Sequence, residues 1–371
     1  MHILRIANFV SPTSGGIRTA LREWGQVYRS QGHQVSLVIP GPGPAYSQAE
    51  QGSVYRLPAM PVARTGYSLI WGRSPLIRLI EQIAPDTIEV SDRSTLRWTG
   101  RWARRAGLGS IMISHEHLTG IMDRRTPVPD RPAHAVADLI NRRSAGDYDK
   151  IVCPSHFAAQ EFTRIGIEAH VVPLGVDLGT FRPGPAPSAE AVPGRPGSRP
   201  LQLIHCGRLS PEKNPSLSIR TVQTLMDRGV GVELTVLGHG PMRERLMTLA
   251  ENLPVTFHSY ITDRAELAGL MARADVAMAP GPVETFGLAA LEALACGVPT
   301  VCLDQGALRE VVGEAGVATR SHPDAFADAV LSLRDRSDAR GRARAQAEKF
   351  TWEKSAARML LLHAEVCAAS P

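Results

Sequence analysis

Short runs of apolar and β-branched residues alternate with segments of helical spacing along almost the whole chain. The first half contains five such runs, HILRIANF, QVSLVIP, TIEVSD, SIMISHE and KIVCPS. The stretches between them have helical spacing, as in GIRTALREWGQVYRSQG. Because strands that alternate with helices form parallel sheets with crossover helices, the chain is predicted to be a doubly wound α/β protein.

One segment, PGPAPSAEAVPGRPGSRP at residues 183–200, interrupts this alternation. It is rich in proline and glycine and has no periodicity, which predicts an interdomain linker. Strand-like runs then resume as LQLIHCGRL, VELTVLGHG, VTFHSY, VAMAP and PTVCLD. We therefore expect an N-terminal domain over 1–182, a C-terminal domain over 201–349 and a last helix within 350–371 that packs back on the N-terminal domain.

The sequence also predicts the position of the ligand site and the cellular compartment of the protein. Ligands of doubly wound sheets bind beyond the carboxyl ends of the strands, so we expect a site in the cleft between two facing domains. No apolar run approaches the roughly 18–20 residues of a membrane span. The N-terminal MHILRIANFV lacks the pattern of a signal peptide, and the five cysteines form no CxxC pair. A cytoplasmic protein is predicted.

The formal net charge of +5 is unevenly distributed. Residues 1–182 hold 21 Lys/Arg and 15 Asp/Glu, a balance of +6, whereas residues 183–371 hold 20 and 21, a balance of −1. A basic N-terminal half suits an anionic partner there. Drift within an arginine-rich composition explains the same numbers equally well.

Glycine turns follow several of the predicted strands. Gly15 and Gly16 stand between the first strand and its helix, and Gly238 lies in LGHGPMRERL after a later strand. Glycines at such a junction let backbone N–H groups approach an anion. A plain tight turn remains the alternative at Gly15 and Gly16. No GxGxxG is present, which argues against a dinucleotide-binding dehydrogenase.

Cations cluster in HCGRLSPEKN, residues 205–214, where Arg208 and Lys213 follow a strand end. Two cations at the carboxyl end of a strand suit a pyrophosphate, whose charge they neutralise as it departs. The chain has only four lysines, so a lysine at this position indicates a functional requirement for an ammonium group. A solvated basic loop is the alternative.

Two carboxylates flank an apolar run in ETFGLAALEALACG, which begins at Glu284 and contains Glu292. We predict a helix from Phe286 to Ala295, so Glu284 lies in the entry loop and Glu292 about two turns into the helix. Helix capping is the alternative role for Glu284, and a solvated helix position for Glu292. The first-turn N–H donors predicted beside the carboxylates are those of Phe286, Gly287 and Leu288.

Polar groups end another predicted strand in SHEHLTG, residues 114–120, where His115 is followed by a glutamate and a second histidine. A third metal ligand is not visible nearby in the sequence, so no metal site is predicted. A hydrogen bond from His115 to a substrate is expected rather than proton transfer.

These motifs together resemble the family 4 retaining glycosyltransferases of the GT-B fold, in which two Rossmann-like domains face each other across a cleft. The resemblance runs from RIANFVSPTSGGIRTAL to FTWEKSAARML, and its most specific part is the E-x7-E motif in ETFGLAALE, followed by GRLSPEKN. Several segments are most similar to actinobacterial GDP-mannose-dependent phosphatidylinositol mannoside mannosyltransferases.

The resemblance implies a role for each candidate residue. Gly16, beside Gly15, would approach the donor diphosphate, and Arg208 and Lys213 would hold it as it leaves. Glu284 would bind hydroxyls of the donor sugar and Glu292 the ribose. The remaining implied contacts are His115 near the sugar on the acceptor side, Asp263 at the guanine base, and Gly238 with the amides of Phe286, Gly287 and Leu288 around the donor.

The resemblance thus implies a retaining mannosyltransferase with GDP-mannose as donor substrate, a phosphatidylinositol mannoside-type lipid as acceptor, and no required cofactor. No carboxylate nucleophile is evident in the sequence, so a front-face displacement is expected. A family 4 transferase with a UDP-sugar and another acceptor is the first alternative. An epimerase or hydrolase of sugar nucleotides on the same fold is the second. No nucleic-acid partner is expected.

A lipid acceptor directs attention to DRSTLRWTGRWARRAG, residues 92–107. If this segment is one helix, its arginines Arg93, Arg97, Arg101, Arg104 and Arg105 share a face that its tryptophans border, as in helices that bind anionic lipid surfaces. A crossover helix with its tryptophans packed on the sheet is the alternative. We expect peripheral association with the inner face of the plasma membrane.

Overall fold

The computed structural model describes residues 1–10, 15–62, 67–120, 130–184, 194–195 and 197–369, with side chains from 134 onward in the segment that begins at 130. The chain divides into two compact units. Unit 1 is Met1–Gly175 together with the C-terminal segment from Trp352, and unit 2 is Val176–Thr351. Half of the linker predicted over 183–200 lies outside the described residues.

Unit 1 is built on one sheet. Its described strands are β1 (His2–Ile6), β2 (Gln34–Gly41), β3 (Ala45–Ala49), β4 (Gly52–Val62), β5 (Tyr67–Ile70), β6 (Thr87–Val90), β7 (Gly109–Ile113), β8 (Lys150–Cys153) and β9 (His170–Val171). They lie in the order β3-β4-β2-β1-β6-β7-β8-β9, with β5 paired to β4. The pairs are parallel except at β3–β4 and β4–β5, which are antiparallel.

Unit 2 has a wholly parallel sheet. Its described strands are β10 (Leu201–Cys206), β11 (Val232–Leu237), β12 (Val255–His258), β13 (Val276–Ala279), β14 (Thr300–Leu303) and β15 (Gly316–Thr319). Their order is β12-β11-β10-β13-β14-β15. The direction in which successive strands are added to the sheet reverses at β10. β10 and β13 are therefore neighbours, although about 70 residues separate them. The switch between β10 and β13 is therefore where this sheet is expected to bind a ligand.

Helices follow most strands of both sheets. In chain order they are α1 (Gly16–Ser30), α2 (Arg73–Ile83), α3 (Trp98–Arg105), α4 (Asp130–Asp147), α5 (His156–Thr163), α6 (Pro215–Asp227), α7 (Arg243–Leu249), α8 (Arg264–Ala272), α9 (Leu288–Ala295), α10 (Leu308–Val312), α11 (Pro323–Arg334), α12 (Ala339–Ala347) and α13 (Trp352–Ala369), with 3-10 turns at Pro211–Lys213 and Gly313–Ala315.

The last helix, α13, packs within unit 1 against α1 and β7. The Trp24 indole N–H donates to Ser355 Oγ at 2.8 Å, and its ring meets Trp352 edge-on at 6.2 Å. Both tryptophans are almost fully buried. Burial of an aromatic pair contributes apolar area and a favourable edge-to-face contact, so α13 is part of the unit 1 core rather than an appendage.

The predicted α/β architecture is confirmed: all ten predicted strand segments contain strands of the structure. The sequence analysis missed β9 and β15 at the sheet edges, and also β3, β4 and β5, which extend the first sheet and include its two antiparallel pairs. Two prolines, Pro58 and Pro61, interrupt β4, and each removes a backbone donor that an interior strand needs. Because prolines argue against an interior strand, residue type alone did not predict a strand here.

Candidate active site

An ion pair joins two of the predicted site residues in unit 2. Lys213 ends the 3-10 turn after β10, and Glu284 lies in the loop between β13 and α9. The Lys213 Nζ donates to Glu284 Oε1. Their side chains are 31% and 20% exposed, so the pair is accessible to a ligand. A pair of opposite charges open to solvent can exchange its partner for a phosphate on one side and a hydroxyl on the other.

A pocket lies beside this pair, at the point where β10 and β13 end. Its lining comes from the ends of both strands, from the loop that holds Glu284, and from the start of α9. The polar or charged side chains in the lining are those of His205, Cys206, Lys213 and Glu284. The structure thus places two charged and two further polar side chains among apolar ones at the strand-order switch, where a sheet of this kind is expected to bind its ligand.

The loop before α9 differs from the sequence prediction. The helix begins at Leu288 and not at Phe286, and Gly287 occupies the N-cap position with φ +94°. A Cβ on Gly287 would lie 2.2 Å from Leu308 Cδ2, so both the conformation and the space require glycine. Phe286 is buried, with its ring edge-on to Phe350 at 5.9 Å. Glu284 stands three residues before the cap and pairs with Lys213, so helix capping is not its role.

Glu292 is a buried carboxylate with 8% exposure, one turn into α9. The alternative of a solvated helix position is therefore excluded. The predicted placement about two turns into the helix is wrong, because the helix begins only at Leu288. Arg264 approaches Glu292 Oε1 to 3.5 Å, and its guanidinium stacks over the Phe181 ring at 4.9 Å. Arg264 offsets the cost of burying this charge. The sequence analysis missed Arg264, because nothing local marks a partner 28 residues away.

The other predicted donor-site residues of unit 2 follow neighbouring strands. Arg208 is exposed directly after β10. Gly238 follows β11 with φ +142°, and a Cβ there would lie 2.0 Å from the Gly207 carbonyl oxygen. Close approach of two strand ends therefore requires this glycine whatever binds there. Asp263 caps α8, accepting from the backbone N–H groups of Ala265 at 2.8 Å and Glu266 at 3.3 Å.

His205 is a buried histidine in the pocket lining, with 2% exposure. Its Nδ1 lies 2.9 Å from Ser218 Oγ. Its Nε2 is buried without a hydrogen-bond partner among the described residues. Burial, and secondarily the charge of Lys213, lower the pKa of His205 to about 4, so the ring is neutral at neutral pH.

In unit 1 the predicted residue His115 follows β7, and its Nε2 lies 3.0 Å from Ser91 Oγ after β6. Burial lowers the pKa of His115 to about 4, so the ring is neutral at neutral pH. A neutral imidazole suits a hydrogen bond to a hydroxyl. Two buried side chains contact the residues that follow His115. One is Arg93, which the sequence analysis placed on an exposed basic face, and the other is Glu161, which it did not single out.

Gly15 is the N-cap of α1 and Gly16 its first residue. Gly15 has φ −79°, and a Cβ built on it meets no heavy atom within 4 Å. Neither backbone conformation nor crowding by described residues explains this glycine. A helix N-terminus can bind an anion, and the preceding residues 11–14 lie outside the described part of the chain.

The prediction of a single basic helix over 92–107 is wrong. The helix begins only at Trp98, and Arg93 is buried at 4% exposure. Arg97 and Arg101 each lie 3.1 Å from Asp147, and Arg104 lies 3.8 Å from Asp149. The two tryptophans, Trp98 and Trp102, pack against the hydrophobic core of unit 1. The alternative given in the sequence analysis, a crossover helix whose tryptophans are packed inward, therefore describes this segment.

Metal and membrane features were sought in the part of the chain that the structure describes. There, no group of three or more His, Cys, Asp or Glu side chains converges as a metal site would require. Within the same residues, no helix combines the length and the apolar composition needed to cross a bilayer.

Two parallel-sheet units, with charged loops at the strand-order switch of the second, define a class of protein. The structure of sucrose-phosphate synthase from Thermosynechococcus elongatus superposes with a TM-score of 0.78 over 100% of both chains at 21% identity. The fold is that of the GT-B glycosyltransferases.

The sequence comparisons narrow this class. Residues 14–180 match the family described as "Glycosyltransferase Family 4", and residues 200–336 match "Glycosyl transferases group 1". A GDP-mannose-dependent alpha-(1-6)-phosphatidylinositol dimannoside mannosyltransferase of Mycobacterium tuberculosis is 43% identical over 97% of this chain and 95% of its own. The corresponding monomannoside mannosyltransferase of that species is 28% identical over 96% of both chains. The chain belongs to the family 4 glycosyltransferases, and the predicted resemblance is confirmed.

Proposed function

We propose that this glycosyltransferase moves mannose from GDP-mannose to a phosphatidylinositol mannoside-type lipid, with retention of configuration. The observation that carries the proposal is the 43% identity, over 97% of the chain, to a mycobacterial enzyme named for that donor and lipid class. The open Lys213–Glu284 pair in unit 2 supports it, because a nucleotide-sugar needs both a cation and a hydroxyl acceptor.

Donor recognition is proposed to divide between the two carboxylates. Glu284 exchanges its ion pair for hydroxyls of the mannose, while Lys213 and Arg208 hold the diphosphate. Glu292 accepts hydrogen bonds from the ribose, and Arg264, 3.5 Å from Glu292 Oε1, holds that carboxylate in place. Asp263 is proposed to accept from guanine, and the loop around Gly238 and the first turn of α9 surround the donor.

Gly16 and His115 are the contacts proposed from unit 1. The α1 N-terminus at Gly16 suits the diphosphate because its N–H groups and helix dipole favour an anion. His115, neutral at working pH, hydrogen-bonds a hydroxyl near the transferred sugar. No proton transfer is asked of it.

The proposed chemical step is a front-face displacement. The bond between the anomeric carbon and the leaving phosphate oxygen breaks, and a bond to the acceptor hydroxyl oxygen forms on the same face. The hydroxyl proton passes to the departing diphosphate oxygen. Lys213 and Arg208 stabilise the negative charge that develops there, so catalysis rests on positioning and electrostatics.

The test is product identification. Purified protein is incubated with GDP-mannose, UDP-glucose or UDP-galactose and with phosphatidylinositol mannoside or a soluble mannoside as acceptor, and the products are identified by mass. We expect one added hexose only with GDP-mannose and the lipid, and an alpha linkage by NMR. Transfer from a UDP-sugar alone would overturn the donor assignment, a beta linkage would overturn retention, and free sugar without glycolipid would indicate a hydrolase.

Peripheral association with an anionic membrane is proposed as well, through unit 1. Its support is the lipid in the relative's name, the +6 balance of residues 1–182, and exposed apolar side chains near the β4–β5 pair. Trp71 is 67% exposed and Met60 47% exposed, and Arg73 follows two residues after Trp71. Exposed apolar side chains with a tryptophan among them suit a lipid interface.

Co-sedimentation with vesicles tests the membrane proposal. We expect binding to anionic vesicles, weaker in high salt, and little binding to neutral ones. Trp71→Ala with Met60→Ala should weaken it. Leu361→Ala, at an apolar side chain 66% exposed on α13, is the matched control and should not. Equal binding by all variants would exclude this surface.

A further inference from the structure

The loop that carries His115 rests on one buried carboxylate from α5. Glu161 is 1% exposed and accepts from the backbone N–H of Leu118 at 3.0 Å and of Thr119 at 2.7 Å. The Thr119 hydroxyl donates to the same carboxylate at 2.8 Å. Three donors from Leu118 and Thr119, which begin a helical turn at the end of the 114–120 segment, therefore converge on a side chain 42 to 43 residues further along the chain.

Arg93 completes this arrangement from the other side. It is 4% exposed, its Nη2 lies 3.3 Å from Glu161 Oε2, and its Nη1 donates to Asn141 Oδ1 at 3.0 Å. The same guanidinium also donates to the Glu116 carbonyl oxygen. Burial alone would raise the pKa of Glu161, but Arg93 and His117 outweigh it and hold the pKa below its ordinary value. The carboxylate is therefore ionised, which strengthens each bond it accepts.

These contacts fix the backbone on both sides of His115. On the N-terminal side, the Ser114 N–H donates to the Val152 carbonyl at 2.8 Å. On the C-terminal side, Arg93 holds the carbonyl of Glu116, and Glu161 holds the amides of Leu118 and Thr119. The imidazole then meets Ser91 at 3.0 Å. The Ser114 hydroxyl, next to His115, donates to the same Glu116 carbonyl at 3.2 Å, but Arg93 and Glu161 reach this segment from distant parts of the chain.

We propose that Glu161 is a positioning residue for transfer: its buried carboxylate, neutralised by Arg93, holds the 114–120 loop so that His115 presents its ring to the substrate. The inference rests on the proposed role of His115. The physical reason is that an ionised carboxylate accepts all three loop donors, whereas an amide at the same place offers one acceptor oxygen and turns an NH2 group toward N–H groups.

A double-mutant cycle between Glu161 and His115 tests this. Glu161→Gln should lower kcat roughly tenfold to a hundredfold, since misplacement by about 1 Å can cost a hundredfold. The KM for GDP-mannose should stay within about twofold, because the donor contacts of unit 2 are untouched. In a His115→Ala background, Glu161→Gln should cost less than about threefold, because two residues that act through one contact are not additive.

Two further variants keep the test decisive. Thr119→Ala removes one of the donors and should show a smaller loss with the same coupling, which serves if Glu161→Gln does not fold. Tyr148→Phe removes a buried hydroxyl bond to the Leu96 carbonyl in the same unit, away from the loop, and should leave kcat unchanged at a similar loss of stability.

The outcomes separate the inference from the function on which it rests. Losses that multiply in the double variant, or an equal loss in Tyr148→Phe, would overturn the positioning role while leaving His115 in the site. Full activity of a folded His115→Ala would overturn the role of His115 and the inference together. Neither result would touch the donor assignment, which product identification tests separately.

Discussion

The two units treat buried charge in opposite ways. Unit 1 buries whole ion pairs: Arg5 lies 2.8 Å from Glu89, and Arg93 lies 3.3 Å from Glu161, with all four side chains at most 4% exposed. The described residues of unit 2 contain no ion pair buried to that degree, and its Lys213–Glu284 pair is open to solvent. One unit uses charge to hold its own backbone, and the other keeps charge where a ligand can reach it.

This difference follows from what each pair must do. A buried pair loses hydration that its mutual attraction only partly restores, so it adds little net stability, but removing one partner is costly. A buried pair therefore fixes the positions of the groups that it bonds. An open pair costs little to separate, so a ligand can replace either partner. The contrast indicates that the buried ion pairs of unit 1 hold side chains and backbone in fixed positions, whereas the exposed ion pair of unit 2 can exchange a partner for a ligand.

The largest effect expected from this contrast is on stability, at Glu89. Its carboxylate accepts from Arg5 and from the Tyr28 hydroxyl at 3.1 Å, and lies 3.3 Å from His363 Nε2. Burial alone would raise the pKa of Glu89, but Arg5 and His363 lower it to about 2. Glu89→Gln leaves Arg5 as a buried unpaired charge and should cost about 3 kcal/mol in denaturant unfolding.

Asp324→Asn is the control for Glu89. It breaks an exposed pair, since Asp324 lies 3.0 Å from Arg228 at the surface of unit 2. Exposed pairs contribute about 0–1 kcal/mol, so this change should be small. Similar costs for the two variants would remove the distinction between the units.

The next effect is on turnover, at the open pair of unit 2. Lys213→Ala and Glu284→Ala should each lower kcat at least about a hundredfold, because each removes a contact proposed to stabilise charge or orient the sugar in the transition state. Folding should be nearly unchanged, since both side chains are partly exposed. Steady-state kinetics with GDP-mannose and thermal unfolding measure the two effects.

Arg228→Ala is the matched control in the same unit, because Arg228 also pairs with carboxylates but lies away from the pocket lining. It should keep full activity. A folded Lys213 or Glu284 variant with the activity of the parent would remove the pair from the donor site.

The same contrast explains what could be predicted from the sequence. The strand alternation predicted both sheets, because the period of apolar residues is a local signal. Arg208, Lys213, Glu284 and Glu292 were predicted as site residues because each lies in a short motif at a strand end or helix start, and their roles stay predictions. The structure then brought Lys213 and Glu284 into contact across 71 positions, as parallel neighbours β10 and β13 require.

The contacts that could not be predicted join residues that are far apart in the sequence. Glu161 and Arg93 are 68 positions apart and look like ordinary charged residues of a helix and a loop. Arg93 was assigned to an exposed basic face because helical spacing alone does not show where a helix begins. Asp92 accepts from the Ser94 N–H at 2.7 Å and the Thr95 N–H at 3.0 Å, which holds a turn there and delays helix α3.

A smaller effect is expected on the pH dependence of unit 2, at His205. Its pKa in the folded protein is about 4, below the ordinary 6.5, so the unfolded chain binds more protons between these values. Stability contributed by the neutral ring is therefore lost as pH falls from 6.5 toward 4, by about 2 kcal/mol between about pH 6.5 and about pH 5.

Hydrogen exchange of the β10 and β11 amides at the two pH values measures this loss within unit 2. His205→Gln should flatten the pH dependence, whereas His239→Gln, at an exposed histidine of the same unit, should leave it as in the parent. An unchanged slope in His205→Gln would assign the acid sensitivity to other groups.

The smallest effect is expected on α3 of unit 1, where charge is exposed rather than buried. Arg101 and Arg104 have side chains 55% and 52% exposed, and each faces an aspartate, Asp147 or Asp149. Changing both to Gln should alter stability by less than about 1 kcal/mol, because such pairs are screened and Asp147 keeps Arg97 at 3.1 Å. Vesicle binding should fall by less than about twofold, since the partnering aspartates already offset these two cations in the parent. A loss of vesicle binding as large as that of the Trp71 and Met60 variant would return α3 to the proposed membrane surface and indicate that an exposed cation of unit 1 can exchange its partner, as is proposed for Lys213 in unit 2.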